Sequence, residues 1–219
     1  NKEIKLQFKV KIKIALDTAK GLNYLHLSRP SMIHRDFKSL NILVDHNLNS
    51  VISDLGLSCF NNSHTTMTRC GSPAWVAPEI IQGLRYNESA DVYSYGIVLY
   101  EMLTRSPPYD GEFKEISESG SINITKLMTH IVAGGRPNIT RDIPMINNYE
   151  VGTFRHNLYA EKETNCLKEE EYYEEIDMKL VQSIISLIKR CWSEDASQRP
   201  TMKNVIIPLE RIHYMLEAD

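Results

Sequence analysis

IHRDFKSLNILVD, residues 33–45, sets His34, Arg35 and Asp36 in a row, with Lys38 and Asn41 close behind. Apolar residues hem these polar groups in: Ile33 before them, and Ile42, Leu43 and Val44 after. A short apolar run after a polar cluster reads as a strand, which would fix the polar loop on a rigid bed. Downstream, DHNLNS (45–50) is turn-rich, and Val51–Ile52 is again β-branched. The two apolar runs are therefore expected to pair as a small hairpin.

Around this centre the sequence is helical. Ile12, Ala15, Leu16, Ala19, Leu22 and Leu25 recur at helical spacing over 9–26. DVYSYGIVLYEML (91–103) is apolar on nearly every face, as expected of a helix buried all round. Residues 125–133, 178–192 and 202–216 give three more helices, the last with Pro208 expected to kink it. Residues 57–76 are polar, rich in Ser and Thr and without a period, and read as a long functional loop. The stretches 110–123 and about 138–177 fit nothing regular. From 161 to 177 the latter holds eight acids and two lysines, which reads as a solvated insertion.

The bulk numbers narrow the function classes. The 219 residues carry a formal net charge of −3, unlike the clustered basic surface that binds nucleic acid. No apolar run approaches the ~20 residues of a membrane helix, so no membrane contact is expected from this segment. Cys59, Cys70, Cys166 and Cys191 are scattered, with no C-x-x-C pair, and read as plain thiols of a reducing compartment.

His-Arg-Asp with Asn five residues after the Asp resembles the catalytic loop of protein kinases. Further anchors follow in the family's order. Asp54-Leu55-Gly56 stands where the family has its metal-binding D-F-G, and Ala77-Pro78-Glu79 where it has A-P-E. Asp91 opens the buried helix, and Arg199 in SQRPT precedes the last one. HRDFKSLN, GSPAWVAPE and DVYSYGIVLYEML together are most similar to the tyrosine-kinase-like group, whose members mostly phosphorylate Ser and Thr.

The resemblance implies a mainly α fold. It is the helical C-terminal lobe of a kinase, with a small β-hairpin carrying the catalytic and metal-binding loops. It implies ATP and Mg2+ as cofactors and a protein substrate with a Ser or Thr hydroxyl, dual specificity being possible. Asp36 would orient and deprotonate that hydroxyl, and Lys38 would offset charge on the γ-phosphate. Asn41 and Asp54 offer the oxygen ligands that magnesium prefers. Leu43 would lie under the adenine ring. Arg35 would grip a phosphorylated loop, with Thr66 and Thr68 as candidate sites, and Ser72 would bond Asp36 and Lys38. Structural roles fall to His34, Leu55 (packed on His34), Gly56, the Glu79–Arg199 ion pair, and Asp91 as acceptor of catalytic-loop N–H groups.

No G-x-G-x-x-G, V-A-I-K lysine or P-loop occurs in the sequence, and the chain opens on Asn1. Residues 1–219 are accordingly expected to be the C-terminal lobe only, with the ATP-covering lobe upstream in cis and the isolated chain weakly active or inactive. The expected location is cytoplasmic, or the cytoplasmic side of a membrane receptor. The rival expectation is a catalytically silent, kinase-derived scaffold. The intact set Asp36, Lys38, Asn41 and Asp54 speaks against it.

Overall fold

Helix α1 spans Phe8–Leu27 and buries Phe8, Ile12, Ala15, Leu16, Ala19 and Leu22, the stripe expected from the sequence. This computed structural model describes residues 6–60, 71–110, 113, 123–139 and 178–218. Two-residue β1 (Met32–Ile33) leads into the polar loop, and β2 (Ile42–Val44) leaves it. β3 (Ser50–Ile52) returns antiparallel to β2, with Ile42 opposite Ile52 and Leu43 opposite Val51. This is the expected hairpin. Its turn is tied to α1 by Lys13, whose ammonium donates to Asp17, to the Leu48 carbonyl and to Asn49.

A second small sheet was not expected from the sequence. β4 (Cys59–Phe60) pairs antiparallel with β1, setting Ile33 opposite Cys59, inside a stretch read as loop. Two-residue strands carry no detectable period, so only their partner reveals them. Residues 61–70 lie outside the described residues.

The body is helical. After the short α2 (Pro78–Ile81), α3 (Ser89–Thr104) runs through the core with Tyr93, Tyr95, Ile97, Val98 and Tyr100 at most 1% exposed. Tyr95 reaches α1 by donating to the Ala15 carbonyl at 2.7 Å. α4 covers Ile124–Val132, α5 Met178–Cys191 and α6 Met202–Ala218. α5 packs on α3 closely enough that a Cβ on Gly96 would lie 2.9 Å from Cys191 Cβ. Only glycine permits that approach without a shift of one helix. α6 packs along α1 and continues through Pro208 rather than ending there.

The described cysteines, Cys59 and Cys191, are free, and burial pushes the Cys191 thiol up to about 12. Among the described residues no helix is long and apolar enough to cross a membrane. Most of the two irregular stretches lies outside the described residues. Phe113 packs its ring on Tyr109 and His130.

Candidate functional site

The polar loop between β1 and β2 hangs from the first turn of α3. Buried Asp91 accepts the His34 N–H on Oδ2 at 2.8 Å and the Arg35 N–H on Oδ1 at 2.9 Å, as expected. Oδ2 also contacts His26 Nε2 at 2.9 Å, a partner the sequence did not suggest. Charge-assisted bonds of this kind are among the stronger ones available to a backbone. They hold Arg35 at φ 70, a conformation that L side chains rarely adopt.

With the loop so fixed, Asp36, Lys38 and Ser72 form a closed triangle. Asp36 Oδ1 accepts the Ser72 N–H at 2.9 Å and its hydroxyl at 3.0 Å. Asp36 Oδ2 accepts from Lys38 Nζ at 2.7 Å, and Lys38 also donates to Ser72 Oγ at 2.8 Å. Burial alone pushes the Asp36 carboxyl up. The bonds from Lys38 and Ser72 outweigh it and hold the group below its ordinary value, so it is anionic at neutral pH. A carboxylate has about four acceptor positions, and among the described residues a long 3.4 Å contact from Asn41 joins the Lys38 bond on Oδ2. An incoming hydroxyl would take the place of that weak contact.

Asn41 is buried, and its amide nitrogen donates to the Asp36 carbonyl at 2.8 Å. Its side-chain carbonyl is thus the group left to act as a ligand. Ser53 donates its N–H at 2.9 Å to the Asn41 backbone carbonyl, which ties the residue before Asp54 to Asn41. Asp54 has left-handed backbone (φ 61) and caps the turn Leu55–Leu57 by accepting from Gly56 at 3.4 Å. That weak bond leaves its exposed carboxylate available. One carboxylate and one neutral oxygen fit magnesium, which is usually held by one or two protein oxygens plus phosphate. Among the described residues no group of three or more His, Cys, Asp or Glu could hold a metal.

Other expectations resolve individually. Leu43 is 56% exposed and faces outward with its cross-strand partner Val51, 60% exposed. Glu79 and Arg199 form the expected buried pair, doubly bonded at 2.7 and 2.9 Å. Arg199 also lies against one ring face of Tyr93, which Arg136 approaches as well.

Leu55 is 48% exposed and follows the left-handed Asp54, and buried His34 meets the Phe37 ring edge-on at 5.9 Å. Arg35 donates to the Leu57 carbonyl and to the Tyr86 hydroxyl. Thr66 and Thr68 lie outside the described residues.

Three residues of the site escaped the sequence reading. Gly71 has φ +97, and a Cβ there would lie 2.7 Å from the Arg35 carbonyl, so this close approach to the catalytic loop requires glycine. Glu101, near the end of α3, accepts from Ser39 Oγ at 3.0 Å and Trp75 Nε1 at 2.8 Å, joining the polar loop to the segment after Ser72. Tyr86 meets Arg35. The glycine that opens GSPAW is a weak signal; a single Glu or Tyr gives none.

The family model described as protein kinase domain matches residues 1–207. A protein of Acanthamoeba polyphaga mimivirus, provisionally named a serine/threonine-protein kinase/receptor, is 35% identical over 206 residues, 94% of this chain and 10% of the relative. The dual specificity protein kinase shkC of Dictyostelium discoideum is 31% identical over 222 residues, 100% of this chain and 35% of its own. The probable serine/threonine-protein kinase drkA of the same organism reaches 49% identity over 108 residues, 49% of this chain and 17% of its own. The chain spans only a minor part of the length of each of these relatives.

Proposed function

This chain belongs to the protein kinase domain family, and from that premise we propose that it transfers the γ-phosphoryl group of ATP to Ser and Thr hydroxyls of a protein. The observation that carries the reading is the Asp36–Lys38–Ser72 triangle with the Asn41 amide bonded to the Asp36 carbonyl. A scaffold has no chemical use for an anionic carboxylate with a lysine paired to it.

The substrate hydroxyl donates to Asp36, which orients its oxygen toward the γ-phosphorus. The new O–P bond forms as the bridging bond to ADP breaks, and the hydroxyl proton passes to Asp36 late in the transfer. Lys38, already positioned by Asp36 and Ser72, offsets charge on the γ-phosphate oxygens without needing to reorganise. Asn41 and Asp54 would hold Mg2+, which would supply positive charge to offset that of the phosphates. Leu43 and Val51 offer the apolar bed suited to a purine face.

Closer definition belongs to the same proposal. We assign the chain to the tyrosine-kinase-like group and read it as the C-terminal lobe. The lobe that covers ATP would be supplied by residues outside these 219, with a cytoplasmic setting. Dual specificity is the second reading, favoured by the likeness to the named dual specificity kinase.

The test is phosphate transfer to a generic basic protein, for this chain and for a form extended upstream by a small lobe. Asp54→Asn serves as the control that removes the metal ligand. Turnover by the extended form alone, abolished by Asp54→Asn, supports the proposal. Folded protein without turnover in either form moves the scaffold alternative ahead.

A further inference from the structure

Arg35 is gripped at both ends by one short segment. Its backbone N–H, held at φ 70, donates to Asp91 Oδ1 at 2.9 Å. Its guanidinium donates from Nη1 to the Tyr86 hydroxyl at 3.2 Å and from Nε to the Leu57 carbonyl. Tyr86 and Asp91 are five residues apart, on the turn that enters α3 and in its first turn. The Tyr86 ring is half-buried against the main core, so its hydroxyl reaches Arg35 from a fixed base.

The residue after Arg35 is Asp36. A left-handed backbone at one residue redirects the next side chain, and such a conformation persists only where the surroundings over-determine it. Asp91 supplies the backbone half of that constraint, and Tyr86 the side-chain half. Leu57 comes from the turn that Asp54 caps, so the same guanidinium also ties the metal-side turn to this frame.

We infer that Tyr86 is a positioning residue for phosphoryl transfer: its hydroxyl accepts from the Arg35 guanidinium and, together with Asp91, holds the left-handed turn that aims the Asp36 carboxylate. The inference rests on the phosphotransfer reading above. Loss of the hydroxyl alone leaves the ring packing in place, removes the Tyr86 bond from the Arg35 guanidinium, and lets Asp36 sample orientations that do not meet the substrate hydroxyl. Substrate and nucleotide contacts are untouched, so the cost falls on turnover rather than on binding.

The experiment is Tyr86→Phe in the transfer-competent form, paired with NMR of the Arg35 Nη1 signal in this 219-residue chain. The expected result is a kcat lower by about five- to tenfold, the worth of one hydrogen bond to a charged group in a partly exposed setting. KM for ATP and for protein should stay within about twofold. The Arg35 Nη1 signal should shift and exchange faster with water. In an Arg35→Lys background, Tyr86→Phe should cost nothing more, since both changes break the same link.

An unchanged kcat with an unchanged Arg35 signal overturns the inference. So does a full additional loss in the Arg35→Lys background, or a loss explained by a lowered melting temperature. If the parent form shows no transfer at all, the phosphotransfer reading falls instead. The Arg35 signal alone then decides whether Tyr86 holds the guanidinium.

Discussion

Ser72 is bonded twice to a single oxygen of Asp36: its amide N–H at 2.9 Å and its hydroxyl at 3.0 Å both point at Oδ1. The amide bond fixes the segment after Gly71 to the catalytic loop, while the hydroxyl also accepts from Lys38 at 2.8 Å. Ser72→Ala keeps the first link and removes the second. We expect a transfer rate lower by about five- to thirtyfold, with Ser72→Thr close to the parent because it restores the hydroxyl. Equal rates for Ala and Thr would show that the hydroxyl does no positioning.

The lowered Asp36 carboxyl has a definite pH consequence. A folded-state value below the unfolded one adds stability that is present above the ordinary carboxylate range and is lost as pH falls through the folded value. Lys38→Met removes the bond and charge that offset burial, so the carboxyl should titrate at higher pH than in the parent. Carbon-detected NMR of the Asp36 carboxyl would check this. An unchanged titration would mean that Ser72 and solvent, rather than Lys38, set the charge of Asp36.

Glu101 behaves in the opposite sense. Burial pushes its carboxyl up, and the bonds from Trp75 and Ser39 only partly offset it. Ionising it in the folded state is therefore costly, and stability falls as pH rises through the carboxylate range. Glu101→Gln keeps the shape and removes the titration. Its stability relative to the parent should improve steadily from about pH 4 to pH 7, read from urea midpoints. A difference independent of pH would contradict the raised carboxyl.

Glu79 and Arg199 are both buried, so cutting one partner strands the other. Glu79→Ala should cost about 3–5 kcal/mol, a large share of a domain's total stability, measured by chemical denaturation. Replacing both by apolar residues of similar volume should cost far less. A loss below about 1 kcal/mol for Glu79→Ala would mean that water reaches the Arg199 head group.

How far the sequence could be read follows from how local each feature is. The hairpin, α1 and α3 are written in runs of neighbouring residues, and Asp91 and Glu79–Arg199 were reachable because their motifs have fixed roles in related folds. The β1–β4 pair was not, since two residues cannot show a period and the paired residues, Ile33 with Cys59 and Met32 with Phe60, are far apart in sequence. Glu101 meets Ser39 across 62 residues, and Tyr86 meets Arg35 across 51. Nothing near either residue announces its partner.

Helix α3 has its first-turn Asp91 under the catalytic loop and Glu101 near its far end, and it is buried along most of its length. Both ends of the reaction machinery are thus hung from a beam with almost no outer surface of its own. The outer surface can drift, and long sequences can be spliced in around α4, at a closure cost that grows only slowly with their length. New recognition surfaces can therefore arise without retuning the chemistry, a division of labour that leaves the family room to diversify in what it addresses while keeping what it does.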